Sequence, residues 1–231
     1  MNIIINGGSR GIGKAIALHM GNDKENRIIV TGRNEAALKQ ICESSEHKNI
    51  SYIKLDLVKF ALEEESFKMQ VAKRFNSIDI LINNAGSLKS QLFKDSDDND
   101  IRTMTEINFF APAAIIRTLL PLFKKGSHIV NISSMGGFQG SAKFPGLSFY
   151  SASKAALACL SECLAQEFVE LGISVNCLAL GSVSTEMVQE AFPGYKAPVS
   201  ADDMGRFISY FALNGNKFFN GKILPIAVTT P

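Results

Sequence analysis

Tyr150 and Lys154 are the residues of this sequence whose types and spacing most directly permit chemistry. Four apart on a helix, they share one face, so the ammonium can approach the phenol. A free tyrosine titrates near ~10 and exchanges protons poorly at neutral pH. A neighbouring positive charge favours the phenolate and lowers that value, which would make Tyr150 a usable general acid or base. Taken alone, the pair is also what an ordinary amphipathic surface helix presents. Its meaning depends on the rest of the chain.

A second stretch, Asn6-Gly7-Gly8-Ser9-Arg10-Gly11-Ile12-Gly13, has the composition of a phosphate-binding turn. Glycines permit tight turns and close backbone approach, and a helix N-terminus attracts phosphate. The spacing Gly-x-x-x-Gly-x-Gly is not the commoner G-x-G-x-x-G fingerprint. Gly8 to Lys14 also fits G-x-x-x-x-G-K, but Ala15 stands where a nucleotide-hydrolysing loop needs a hydroxyl for magnesium, which disfavours that reading. Further on, Val30-Thr31-Gly32-Arg33-Asn34 offers no acid to hold a ribose 2′-OH. It offers Arg33, with Arg10 in the glycine loop, and two guanidiniums suit a 2′-phosphate. NADP(H) is therefore favoured over NAD(H). The alternative is an Arg33 that merely ends a strand in solvent.

These groups need a frame to hold them together, and the apolar pattern predicts one. Ile3-Ile4-Ile5, Arg27 to Thr31, Ile50 to Leu55, Ile78 to Ile82, Ser127 to Ile132, Ile173 to Leu178 and Ile223 to Val228 read as strands. Helical patterns fall between them at Lys14 to Met20, Glu35 to Ser44, Glu64 to Phe75, and Ile101 to Phe123 with a bend at Pro112. The Tyr150 helix continues through Ala155 to Phe168. Continuous Ile/Val/Leu runs indicate strands covered on both faces, hence a doubly wound α/β fold: a parallel sheet of about seven strands with helices on both faces. The acidic run Asp95 to Asp100 suits a helix N-terminus, and solvated surface is favoured there over a metal site.

Composition narrows the function classes. With 231 residues, 46% of them hydrophobic, one domain with a substantial core is expected over residues 1–231. A net charge of +2 argues for neither nucleic acid nor a membrane surface as partner. Cys42, Cys159, Cys163 and Cys177 show no disulfide or metal-site spacing, and Cys159 and Cys163 are expected to be small core residues. No metal is expected. The absence of a long apolar N-terminal segment suggests a cytoplasmic protein.

Four more stretches complete an ordered set: Asp56-Leu57, Asn83-Asn84-Ala85-Gly86, Asn108 and Ser133-Ser134. With the glycine loop before them and Tyr150-x-x-x-Lys154 after, the order and spacing over about residues 1–186 resemble the short-chain dehydrogenase/reductase family. The resemblance implies a single Rossmann-like domain and an NADPH-dependent carbonyl reductase, or alcohol dehydrogenase in reverse. Tyr150 would be the proton donor, with Lys154 lowering its pKa and bonding the nicotinamide ribose. Ser134 would polarise the carbonyl oxygen, and Asn108 would support a water path to Lys154. Gly7, Ser9, Arg10, Gly11, Ile12, Gly13, Arg33, Asp56, Leu57, Asn83, Ala85, Gly86, Gly181, Val183 and Thr185 would join Tyr150 and Lys154 around the cofactor. A rival reading on the same fold is a non-catalytic dinucleotide sensor, which would have no need of a tuned proton donor.

The chain departs from the family pattern at Leu180, which replaces the proline of Asn-x-x-x-Pro-Gly and frees that φ angle, so a change in loop rigidity is expected. The C-terminal stretch from Gly221 to Pro231 also lacks the family's usual Asp-Gly-Gly ending. Segments 134–149 and 186–200 would form the substrate side, with Phe138, Phe144, Phe149, Met187, Phe192 and Tyr195 as an aromatic-rich wall for an apolar or amphipathic carbonyl compound, or alternatively as ordinary core. Family members usually pair through the helices carrying Asn108 and Tyr150. A homodimer or homotetramer, through outer-face residues such as Ala156, Leu160 and Leu164, is the implied assembly.

Overall fold

Three consecutive isoleucines near the N-terminus show how the fold is built. In the computed structural model, which describes residues 1–228, they lie in strand β1 (Asn2–Asn6) and all three are fully buried. Side chains alternate across a strand, so Ile3 and Ile5 enter one apolar layer and Ile4 the other. Only a sheet covered on both faces buries all three.

The sheet holds seven parallel strands in the order β3 (Ile50–Lys54), β2 (Arg27–Gly32), β1, β4 (Ile78–Asn83), β5 (Phe123–Ser134), β6 (Ser174–Leu180) and β9 (Ile223–Ile226). One face is covered by α1 (Gly11–Gly21), α2 (Glu35–Ser44) and α8 (Ala201–Asn214), through residues such as Ile16, Leu38 and Ile208. The other is covered by α3 (Phe60–Ala72), α5 (Ala111–Leu119) and α6 (Ser148–Glu167), through Phe67, Ile115 and Ala165. This is the doubly wound, Rossmann-like architecture that the apolar runs predict. A two-stranded parallel pair, β7 (Val183–Ser184) and β8 (Val199–Ser200), brackets the short α7 (Glu186–Ala191). Among the described residues, no helix is long and apolar enough to cross a membrane.

Several boundaries differ from the sequence expectation. The third helix begins at Phe60 and ends at Ala72, because Phe60 and Phe67 anchor its buried side in an edge-to-face pair 5.6 Å apart. The long helix expected over Ile101 to Phe123 is broken twice. After α4 (Asp98–Thr105), capped by Asp97, residues Glu106–Phe110 form a π turn in which the Ala111 N–H donates to the Glu106 carbonyl. Pro112 lies just beyond, without an N–H for the Asn108 carbonyl four residues back. The helix then stops at Leu119, because Pro121 cannot extend its ladder, and β5 starts at Phe123. Within the acidic run, Asp97 accepts from the backbone N–H groups of Asn99 and Asp100, while Asp100 pairs with Lys89.

The helix α8 is absent from the sequence expectation. Its Ser200 cap, accepting from Asp203 N at 3.0 Å, and its buried Met204, Ile208, Phe211 and Ala212 are nonetheless a readable helical signal. Cys159 and Cys163 are exposed on α6, correcting their expected place in the core; α6 turns Leu157, Ala158, Ser161 and Ala165 inward instead. Strand β6 runs through Leu180, which pairs with Ser134 and Ile226, a register that the family's proline would interrupt.

Candidate active site

The strand order reverses between β1 and β4, and outside the carboxyl ends of these strands lies a cleft of about 370 Å³. Crevices at such switch points are where open α/β sheets bind ligands. Its floor is tied together from below. Asn6, Asn83 and Asn131 end or nearly end β1, β4 and β5 in register with one another. Asn6 Nδ2 donates to Asn83 Oδ1 at 2.6 Å, Asn83 Nδ2 to Asn131 Oδ1 at 2.8 Å, and Asn131 Nδ2 to Ser161 Oγ at 2.9 Å. Thr31 Oγ1 donates to Asn6 Oδ1 at 3.0 Å and extends the ladder to β2. A buried, fully bonded network of this kind fixes the relative heights of the loops above it.

Those loops carry the expected residues. Gly7, Ser9, Arg10, Gly11 and Ile12 line one wall, with Arg33, Asp56 and Leu57 beyond them. Gly7 has φ +80°, and a Cβ there would lie 2.6 Å from the Ala85 backbone. At Gly13 a Cβ would lie 2.1 Å from the Gly7 carbonyl oxygen, so Gly13 shapes the loop from behind and does not face the cleft. Asp56 accepts from Val58 N at 3.2 Å and caps a short turn, while Arg33 has no ion-pair partner among the described residues. Ala85, Gly86, Gly181, Val183 and Thr185 complete the lining. Asn83 does not join them: its side chain is spent in the ladder, and Asn84 faces the cleft, donating to the Gly7 carbonyl at 3.0 Å. Alternation along β4 sends the two side chains to opposite sides but does not by itself say which of them meets the cleft. A glycine cradle that excludes side chains, with two guanidiniums on its rim, fits a dinucleotide.

Tyr150, Lys154 and Ser134 all line this cleft. The Ser133 hydroxyl donates to the Lys154 carbonyl at 2.8 Å, whereas Ser134 lines the cleft beside Tyr150 and accepts from Gly136 N at 3.1 Å. Lys154 is 3% exposed and donates from Nζ to the Ile132 carbonyl at 2.9 Å. Burial pulls its pKa down to about 8. The expectation for Tyr150 is corrected: burial of its hydroxyl raises the phenol above its ordinary value, opposed only by the Ser134 hydrogen bond. Desolvation sets the direction of this shift.

Asn108 is fully buried and does not line the cleft. Its Oδ1 accepts from Ser87 N at 2.7 Å, and its Nδ2 donates to Ser87 O and Ser153 Oγ at 2.9 and 3.0 Å. Gly86 lies between it and Lys154: a Cβ there would be 3.4 Å from Lys154 Nζ and 3.5 Å from Asn108 Oδ1.

The expected aromatic wall is not there. Of its six candidates only Met187 lines the cleft. Phe149 stacks on Phe93 with centroids 5.3 Å apart, Phe144 and Tyr195 are exposed, and Phe138 and Phe192 lie outside the lining. The apolar wall is aliphatic, from Leu88, Ile107, Met187 and Val188. Two lining residues carry charge that motif spacing gave no reason to expect, Glu186 and Glu190 on α7.

Comparison with known proteins gives a consistent picture. The family model described as short chain dehydrogenase matches residues 1–196. An uncharacterized oxidoreductase of Staphylococcus saprophyticus is 27% identical over 211 residues, covering 90% of this chain and 88% of the relative. A dehydrogenase/reductase from Sinorhizobium meliloti superposes with TM-score 0.82 at 27% identity, covering 98% of this chain and 93% of the other. A short chain dehydrogenase from Burkholderia cenocepacia, solved in complex with NADP, gives TM-score 0.83 at 26% identity, covering 97% and 95%.

Proposed function

Because the chain belongs to the short-chain dehydrogenase family, and is therefore a short-chain NAD(P)-dependent oxidoreductase, we propose that it is an NADPH-dependent carbonyl reductase with Tyr150 as its proton donor. The observation that carries this reading is that Tyr150, Ser134 and Lys154 line one and the same glycine-walled cleft. The bound nicotinamide would supply the hydride, while the protein orients the substrate and moves the proton.

Tyr150 donates its proton to the oxygen of a ketone as that oxygen gains charge. A phenol held above its ordinary pKa stays protonated at neutral pH, which suits reduction; the reverse reaction needs the phenolate and so favours alkaline conditions. Ser134 sits beside the phenol and hydrogen-bonds the same oxygen. Lys154 holds the ribose next to the reacting ring and places positive charge behind Tyr150. Asn108 acts as a positioning residue, tying the Ser87 loop to α6 through Ser153. Arg10 and Arg33 favour a 2′-phosphate on the adenosine side, a preference also supported by the NADP carried by the Burkholderia cenocepacia relative. Segments 134–149 and 186–200 bound the substrate side, and the aliphatic wall suits an apolar ketone or secondary alcohol. We assign the enzyme a homo-oligomeric state, as is usual in the family, and a cytoplasmic location.

The test is loss of reduced-nicotinamide absorbance against a panel of ketones, diketones and ketoesters, repeated with Tyr150→Phe. Turnover with the wild type, and its loss in a variant that still binds NADPH, is the expected result. Full turnover by the variant would remove Tyr150 from the chemistry.

A further inference from the structure

Helix α7 carries two carboxylates four residues apart, Glu186 and Glu190, which therefore share one face. That face meets the glycine loop. Glu190 Oε1 accepts from Arg10 Nη1 at 2.7 Å, across 180 positions of sequence. Glu186 hangs over the start of α1: a Cβ on Gly11 would lie 3.4 Å from Glu186 Oε2. Gly11 opens the first turn of α1, where unpaired N–H groups and the helix dipole favour negative charge. One short helix thus sets a carboxylate on each of the two features that attract anions in this wall. The charges respond to each other, Arg10 being raised and Glu190 lowered, in both cases first by their shared hydrogen bond.

We propose that α7 is a built-in competitor for the cofactor's phosphates, with Glu190 holding Arg10 where a 2′-phosphate would bind and Glu186 covering the pyrophosphate seat at Gly11. The inference rests on the reading of Arg10 as a 2′-phosphate ligand. Arg10 must leave Glu190, or share it, before meeting that phosphate, and Glu186 must move off the α1 terminus for either cofactor. Glu190 therefore penalises NADPH selectively, and Glu186 penalises NADPH and NADH alike. The Arg10 and Glu190 side chains are 50% and 63% exposed, so the contact is screened and readily exchanged. A pair of this strength makes a modest gate.

The test is equilibrium binding of NADPH, NADH and 2′,5′-ADP, read by calorimetry without turnover, to the wild type, Glu186→Gln, Glu190→Gln, Arg10→Ala and the Arg10→Ala/Glu190→Gln double variant. Glu190→Gln is expected to tighten NADPH and 2′,5′-ADP by about two- to fivefold, the range of an exposed ion pair, and to leave NADH unchanged. Glu186→Gln should tighten NADPH and NADH to a similar degree. In the Arg10→Ala background the effect of Glu190→Gln should vanish. Unchanged or weaker NADPH binding by Glu190→Gln, with Arg10→Ala still selectively harming NADPH, would overturn the gate and leave Arg10 as a phosphate ligand. Equal losses of NADPH and NADH in Arg10→Ala would overturn both. Glu190→Asp, which keeps the charge on a shorter stem, should behave like Glu190→Gln if the contact matters; wild-type behaviour of that variant would count against the contact.

Discussion

Lys154 is a buried ammonium whose hydrogen-bond acceptor is the neutral Ile132 carbonyl, and it should make the protein less stable than it could be. The perturbation that exposes this is Lys154→Met, which keeps the length of the side chain and removes the charge. Burial lowers the lysine from 10.5 to about 8 in the folded protein. Between these values the unfolded chain holds its proton more tightly than the folded one. The penalty on folding is therefore complete below about pH 8 and is released as pH rises toward the unfolded value of 10.5. A gap of about 2.5 pH units at 1.36 kcal/mol each amounts to about 3 kcal/mol, of which about 2.5 kcal/mol falls between about pH 7 and about pH 10. The methionine also leaves the Ile132 carbonyl without its donor, at a cost of about 1–3 kcal/mol, but that offset does not vary with pH. Tyr150 is common to both proteins and cancels to first order. Urea unfolding of wild type and variant at both pH values, with matching denaturant slopes, reads the difference directly. Wild-type stability should gain on the variant by about 2.5 kcal/mol over that interval. A gap that stays level would mean that the ammonium is not desolvated, and the account of this site as one that sacrifices stability for function would fail.

His128 gives the opposite limb of the pH profile. Buried between the Ala212 carbonyl, 2.9 Å from Nδ1, and Asn176 Nδ2, 3.0 Å from Nε2, it is held neutral with its pKa lowered to about 4, chiefly by desolvation. Its contribution is present above pH 6.5 and is lost as pH falls toward about 4, a change of about 3 kcal/mol; His128→Gln should flatten that acid limb in urea titrations. Arg33→Ala should weaken NADPH by more than about tenfold while changing NADH little, as expected for a lost charge-assisted phosphate contact; equal losses in calorimetry would show that Arg33 does not meet the phosphate. Gly13→Ala drives a methyl into the rigid Gly7 carbonyl and should lower stability by about 2 kcal/mol, with a matching loss of dinucleotide affinity. A melting temperature equal to wild type would argue that the loop has room to move.

Local periodicity made much of this protein legible from its sequence. Burial on both faces of a parallel sheet demands unbroken apolar runs, so Ile3-Ile4-Ile5 and Ile78 to Ile82 announce their strands and the layers around them. The glycine loop is equally readable, since positions such as Gly7 and Gly13 admit no other residue. So is the Tyr150–Lys154 pair, because helix geometry alone sets residues four apart side by side. What short-range pattern did not determine was which of two adjacent residues faces the cleft, as with Asn83 and Asn84, because that depends on a register shared with Asn6 and Asn131 on other strands. Nor did it determine the direction of the Tyr150 shift, since desolvation is set by everything packed around the hydroxyl. The aromatic residues of the substrate segments had the right composition for a wall, yet Phe149 stacks on Phe93 instead. The contact of Glu190 with Arg10 joins opposite ends of the chain through the packing of α7 on the glycine loop. Residues within a turn of one another meet by backbone geometry, whereas residues far apart meet only where the whole fold brings their elements together.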